Sequence, residues 1–330
     1  MLNALFGIML ACIGVGLFRL RRKALWRDAF RRLYQRQSAK ISIAVIAIYI
    51  SIGALDSVGW KDPATGNFRS VIDRVFQREN ERTYSAPMAV MTTGEPIPHN
   101  LAAKHIFGTD GTGEDVLYQA LKGCRTALII GGLTSGLVTP LAIILGMPAG
   151  YFGKRVDDAA QFFAAVLDSI PSILMLVAIM LVLGRGLAQL CIALGITTWV
   201  GLFRIVRAET MKHRDREYAR AARALGATNF QIMTRHILPN ITPLIVIGVT
   251  LRFSGLVLAE AVLSYLQIGV EPGTGSWGNM IDGARLELAR DPIVWWNLLA
   301  ATSALFVLVL AFNILGDALR DAIDVRLRSS

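Results

Sequence analysis

The chain has 330 residues, 54% of them hydrophobic and only 18% charged, with a mean hydropathy of +0.50. A soluble domain of this length carries more charge, so the composition excludes an ordinary soluble protein and points to a polytopic membrane protein. The formal net charge of +10 then reads as the positive-inside bias of membrane loops rather than a nucleic-acid footprint, and no nucleic acid is expected as a partner.

Residues 2–18 form an apolar run, followed at once by Arg19, Arg21, Arg22 and Lys23. A secretory signal would place the charge before the run, and no cleavage-like site follows. A crossing needs about 20 residues, so the run is read as a short membrane helix with its N-terminus outside; an interfacial anchor is the alternative. Residues 19–40 hold nine Lys/Arg and one acid, Asp28, which assigns residues 1–40 to this helix and a basic cytoplasmic linker. The first core helix is expected at 41–59, leading outward. Residues 60–123 are mixed and polar, with Pro63, Pro87, Pro96 and Pro98, and read as a long external segment.

A series of apolar runs fills 124–330. The first, Cys124 to Tyr151, contains Pro140, Pro148 and the small residues Gly131, Gly132, Gly136, Gly146 and Gly150, which let helix backbones approach closely. Lys154 and Arg155 hold the next loop inside. A run from Phe162 to Leu183 leads out to the turn Gly184-Arg-Gly186, and Leu187 to Val206 leads back. Residues 204–235 carry eight Lys/Arg, which places that stretch in the cytoplasm. After Pro239 a run leads out to Gly269, a Gly/Pro-rich external loop includes Glu271 to Trp277, and Ile293 to Leu315 returns inside. Every short loop obeys one orientation, with the C-terminus cytoplasmic. The expected fold is all-α: six core membrane helices, an extra N-terminal one and a long external segment.

The polar stretch 208–239 has a grammar of its own. Tyr218, Ala221 or Ala222, and Leu225 share one helical stripe, Arg216, Arg220 and Arg223 another, and Glu217 can pair with Arg220. Gly226 reads as the helix stop that takes positive φ. Thr228-Asn-Phe-Gln231 has capping-box spacing, and the second helix is expected to end by Leu238 because of Pro239. Small side chains suit insertion into a partner's groove; an amphipathic helix lying on lipid is the other reading.

Charges inside apolar runs are candidates for the transport path or for ties between helices, because a central charge costs about 2.5–3.5 kcal/mol on insertion scales. Asp168, Arg252 and Glu260 qualify; Asp168 could instead cap a helix near Pro171. No phosphate-binding Gly-x4-Gly-Lys-Ser/Thr loop occurs, Gly153-Lys154 being followed by Arg155. The histidines have no ligand spacing, and Cys12, Cys124 and Cys191 sit in or beside apolar runs. No enzyme activity, cofactor or metal is expected of this chain.

The stretch 217–239 resembles the EAA loop of binding-protein-dependent ABC importer permeases, whose pattern is Glu-Ala-Ala, three residues, Gly, nine residues, Ile-x-Leu-Pro. Ala221, Ala222, Gly226, Leu238 and Pro239 occupy matching places; Arg220 stands where the family has Glu, and His236 where it has Ile. Four further segments resemble the dipeptide/oligopeptide/nickel branch: Phe107-Gly-Thr-Asp-Gly-Thr-Gly-Glu-Asp115-Val, Ala259-Glu-Ala-Val-Leu-Ser264, Ser276-Trp-Gly-Asn-Met280 and Leu315-Gly-Asp-Ala-Leu-Arg-Asp-Ala-Ile-Asp324. Glu114 replaces a usual Arg and Val325 a usual Pro. The likeness spans about 105–328. It implies a permease subunit of an ATP-driven importer for peptides or peptide-like solutes, paired with a homologous permease. It also implies two ATP-binding subunits that bind ATP and Mg, and an external solute-binding protein. Coupling to the ATPase would run through Glu217, Tyr218, Arg220, Ala221, Ala222, Gly226 and Pro239, with a local acid or a different contact expected opposite Arg220. An ion-gradient-driven secondary transporter is the alternative, though no inverted repeat is evident.

Overall fold

The computed structural model describes residues 6–11, 14–16, 24–61, 68–76, 80–94 and 97–323. The basic residues Arg19 to Lys23 and the C-terminal Asp324 to Arg328 lie outside the described residues, as does Cys12. The chain is a bundle of long apolar helices with a polar head at one end and a short helical elbow at the other.

Helix α1 (Ala24–Gln35) is amphipathic and buries Trp26, Ala29 and Leu33. Helix α2 (Gln37–Ser57) runs to the head. There, β1 (Gly59–Lys61) and β2 (Phe68–Ser70) form an antiparallel pair, and α3 (Val71–Val75) starts from a capping box between Ser70 and Asp73. Helix α4 (Val116–Phe152) is capped by Asp115, which accepts from the Tyr118 amide, and returns through 37 residues to the elbow end. Helices α5 (Lys154–Asp168) and α6 (Ser172–Leu183) are bent by 84°. Helix α7 (Leu187–Arg214) comes back to the elbow end, where α8 (Glu217–Ala224) joins it. Helix α9 (Asn229–Tyr265) leads to the head again. There α10 (Trp277–Glu287) lies, and α11 (Trp296–Ile323) completes the bundle.

Five helices (α2, α4, α7, α9 and α11) are long and apolar enough to cross a membrane, and the bent pair α5–α6 makes a sixth if it is one broken span. Their outer faces expose large apolar side chains such as Ile48, Ile144, Leu181, Val182 and Phe306. Exposed apolar patches on this scale fit a hydrocarbon solvent rather than water. Residues 6–11 and 14–16 are helical, and Phe6 packs against Gly53 of α2.

Inside, packing follows the small-residue logic. Helices α4 and α7 pack along much of their length, and a Cβ on Gly150 would come within 2.5 Å of the Arg207 carbonyl. In hydrocarbon, van der Waals contact of this kind is what holds helices together. The Gly/Pro-rich stretch after α9 is not only loop, because it contains α10. The Trp277 indole of α10 donates to the Ala120 carbonyl at 2.9 Å, and Thr126 donates to the Gly275 carbonyl at 2.6 Å. Trp296 binds the head in the same way, donating to the Thr109 carbonyl at 2.9 Å.

The head is held by charge. Asp56 is fully buried, 3.0 Å from Arg125 Nε and 3.3 Å from Lys122 Nζ, and accepts from Ser70 Oγ at 2.8 Å. Lys122 also reaches Asp73 at 2.5 Å. Burial pushes the Asp73 carboxyl up, but Lys122, the Ser70 amide and Tyr118 outweigh it and hold it below the usual carboxylate range. His105, also buried, bridges Asp115 at 2.7 Å and Glu81 at 3.3 Å. Removing one member of a buried pair strands its partner, at about 3–5 kcal/mol. Asp56→Ala is therefore expected to lower stability by about 3 kcal/mol, read as an earlier thermal transition in detergent, whereas Arg36→Ala is expected to change it little. Arg36 pairs with Asp321 at 2.5 Å, but both are about half exposed.

Candidate functional site: the elbow between two membrane helices

The elbow is built from α8 and the first turns of α9. Helix α8 is eight residues long and starts after an extended Arg216. It ends in a Schellman arrangement: the Gly226 amide donates to the Arg223 carbonyl and the Ala227 amide to the Ala222 carbonyl, each at 3.0 Å, with Gly226 at φ +85°. Thr228 and Gln231 then form the capping box that their spacing anticipates.

Beyond Gln231 the chain departs from the expectation. The second helix does not end at Leu238; it continues through Pro239 into the membrane segment as one 37-residue helix. Residues Ile232–Ile237 form a π-helical stretch directly before the proline. A proline inside an α-helix removes an amide donor and crowds the carbonyl four residues back. The wider π turn relieves that crowding, and such turns are frequent at functional sites. Mechanically, the second helix of the elbow and the membrane segment are one rod, and the turn at Gly226 joins α8 to it.

The faces of α8 also differ from the sequence stripe. Ala219 and Ala222 are buried, with Tyr218 packed beside them, in a cluster that includes Tyr151, Phe203, Val206, Ile232 and Ile237. Ala221 is exposed, and Leu225 is 88% exposed, with Phe230 at 71%. Tyr218 Oη lies 2.6 Å from His213 Nδ1, and burial raises its phenol above the usual value. Tyr151 donates to Asn229 at 2.9 Å and accepts from Arg223 at 3.1 Å. Glu217 and Arg220 are exposed and form no ion pair with each other among the described residues. The elbow is thus seated on α4, α7 and α9 by small and aromatic side chains, and it presents two bare apolar side chains amid exposed arginines.

The charges in the apolar runs are not brought together. Asp168 ends α5 and pairs with Arg204 at 2.5 Å, both about half exposed; it does not cap α6, whose start has no side-chain cap. Glu260 is buried and accepts from Ser264 at 2.8 Å and from Ser276 at 2.5 Å, joining α9 to the start of α10. Arg252 donates to the Thr198 carbonyl of α7 at 3.2 Å and faces a cavity of about 610 Å³.

A second cavity, of about 830 Å³, opens in the head among Tyr84, Asp110, Glu114, Lys122, Glu287 and Arg290. Burial raises the carboxyl of Glu114, with Asp110 beside it adding to the effect, and burial likewise raises that of Glu287. Asp110 and Glu114 belong to the segment that begins at Phe107 and resembles the family, but the sequence did not reveal the group as a whole, because its other members are scattered along the chain from Tyr84 to Arg290.

The family profile described as "Binding-protein-dependent transport system inner membrane component" matches residues 142–329, which take in the elbow, α9 and α11. The chain belongs to this family. Its relatives include the oligopeptide transport system permease protein OppC of Bacillus subtilis, 30% identical over 92% of this chain and 91% of that protein. The dipeptide transport system permease protein DppC of the same organism is 35% identical over 69% of this chain and 70% of its own length. The di/tripeptide transport system permease protein DppC of Pseudomonas aeruginosa is 34% identical over 69% and 74%. Membership makes the bundle that of a multi-pass membrane transport component, and the elbow is a conspicuous surface feature of the matched region.

Proposed function

We propose that this chain is the permease subunit of an ATP-driven importer of peptides or peptide-like small solutes, and that the elbow is where the motor acts on it. In this reading the elbow and the C-terminus face the cytoplasm and the head faces outward in the cell's inner membrane. A homologous permease completes the path, two ATP-binding subunits bind and hydrolyse ATP, and an external solute-binding protein delivers cargo to the head.

The observation that carries the coupling is the seating of α8. Ala219, Ala222 and Tyr218 fix it to the bundle, and the tight turn at Gly226 ties it to the start of α9, which the π turn carries unbroken into the membrane segment. Leu225, just past its carboxyl end, and Phe230, in the first turn of α9, stand bare. A groove in the ATP-binding subunit that receives those two side chains would move α9 as a lever whenever the groove moves. Within this scheme Ala221 and Arg220 line the contact, and Glu217 lies at the amino end of α8, where a carboxylate complements the helix dipole. Tyr218 and Ala222 transmit force inward, Gly226 sets the turn, and Pro239 is accommodated by the π segment.

A cysteine at exposed Leu225 tests the contact directly, and is better placed than one at buried Ala222. It is expected to crosslink to the ATP-binding subunit in the assembled complex, with a yield that changes between nucleotide-free and ATP-trapped states. No crosslink in any nucleotide state would rule this docking out.

A further inference from the structure

We infer that Arg252 and the amino end of α6 together form a carboxylate-binding site in an open cavity on the membrane bundle, past which the acid end of a peptide cargo moves. The inference rests on the peptide-import reading above and names the chemical group that the path would recognise.

Arg252 lies midway along Leu238–Tyr265. At 1.5 Å per residue it is about 20 Å from either end of that segment. A charge there costs about 2.5–3.5 kcal/mol on insertion scales and is rare without a purpose. Its partner inside the chain is weak: one neutral carbonyl, that of Thr198, at 3.2 Å. Among the described residues no carboxylate pairs with it, and it is the one charged side chain lining the cavity. The guanidinium carries five donors in a planar fork shaped for two carboxylate oxygens. Space has been made for it, since a Cβ on Gly201 would overlap its terminal nitrogens.

The second, independent feature is the break in the α5–α6 span. The 84° bend brings the first residues of α6, Ser172 and Ile173, into the wall of the same cavity. Helix α6 has twelve residues and begins after an extended Pro171, with no side chain capping its first amides. Those amides and the helix dipole give this end a partial positive charge. Interrupted membrane helices that present amino ends to anionic substrate groups obey the same physics. The hydroxyls of Ser135, Thr139 and Thr198 add polar contacts in walls that are otherwise apolar. At about 610 Å³ the space is of ligand size. A lipid phosphate would have to sink about 15 Å from the edge of the hydrocarbon core to reach Arg252, which favours cargo over lipid as the anion.

The test is charge rescue in the complete importer, reconstituted in liposomes with its binding protein and a free-acid peptide. Arg252→Cys is expected to cut initial uptake at least tenfold while the complex still copurifies and still hydrolyses ATP. Modification with a cationic aminoethyl thiosulfonate is expected to restore uptake to within threefold of wild type, and neutral or anionic adducts to restore none. Cargo supplied during turnover is expected to slow the modification. Equal rescue by the neutral adduct, or labelling that ignores cargo, would overturn the site. Disassembly of the complex by both Arg252→Cys and Arg252→Gln would give the arginine to an acid of the sister permease instead. Peptide uptake by the wild type is the separate control: its failure sinks the peptide reading itself, whereas the other outcomes sink only the anion site.

Discussion

Replacing Leu225 and Phe230 together with glutamate is expected to abolish uptake, by at least a hundredfold, while the subunit still reaches the membrane and still binds its sister permease. The two side chains are 88% and 71% exposed, and neither belongs to the cluster that seats α8. Exposed substitutions of this kind usually change folding stability by no more than about 0.5 kcal/mol. In a complex with the ATP-binding subunit the same residues would lose their water. Fully burying each apolar side chain contributes about 1.5–3 kcal/mol, and a carboxylate in its place would be desolvated without a partner. The double change therefore removes the attraction and adds a penalty. The decisive comparison sets initial uptake rate against copurification of all subunits in a reconstituted importer. Uptake at the wild-type rate would refute motor docking at the elbow. Loss of lipid contact with the ATP-binding subunit still bound would favour the reading in which α8 lies on the membrane surface. Arg220 supplies a finer check on the same face. If an acid stands opposite it, Arg220→Glu weakens the complex and a reciprocal acid-to-Arg change in the motor restores it.

The membrane helices were legible because a hydrocarbon solvent writes its demands into long apolar runs, and the cap signals around Gly226 and Thr228 because they are local backbone chemistry. Legibility failed where a local rule met a tertiary remedy. Pro239 disfavours an α-helix, yet the π turn at Ile232–Ile237 carries the helix past it. The run from Phe162 to Leu183 reads as one span, but it is two helices broken at Ser169-Ile170-Pro171. On α8 the stripe Tyr218, Ala221 or Ala222, Leu225 was rotated from the face that is buried. Alanine periodicity carries little orientation when half the helix is alanine, and the burial of Ala219 is decided by the cluster it joins, which includes side chains of α4, α7 and α9. The same holds for charge. Asp168 looked like a cap, but a long side chain on α7, Arg204, captures it. Helix α10 was hidden by the Gly and Pro residues just before it, and its start is set by Ser276, whose hydroxyl receives the Gly278 amide at 3.1 Å.

Glu260→Ala is expected to destabilise the chain by about 2–6 kcal/mol, from about one to three for each of the two buried hydroxyls left without its acceptor, and Glu260→Gln to recover most of the loss. Two serines converge on a single carboxyl oxygen: Ser264 from one turn along α9 and Ser276 from the cap of α10. The Ser264 hydroxyl also receives the Val270 amide at 3.4 Å, so three segments meet at one buried carboxyl. A glutamine keeps an acceptor oxygen at that point and can serve both serines; an alanine leaves a polar hole next to Trp277. Thermal unfolding in detergent, with peptide uptake measured on the same preparations, separates the two roles open to this residue. As a tie between α9 and α10, Glu260 needs only its acceptor, so Glu260→Gln should unfold near the wild-type temperature and transport at a similar rate. As a charge in the path it would need its ionisation, and Glu260→Gln would then fold normally and fail to transport. The first outcome is expected, because the carboxyl is closed in by its two serines and lies outside the lining of the Arg252 cavity. Position along α9 therefore separates two charges that the sequence alone could not rank: Glu260 is bonded to serines of α9 and the α10 cap, and Arg252, two turns nearer the elbow, lines the cavity proposed above as part of the path.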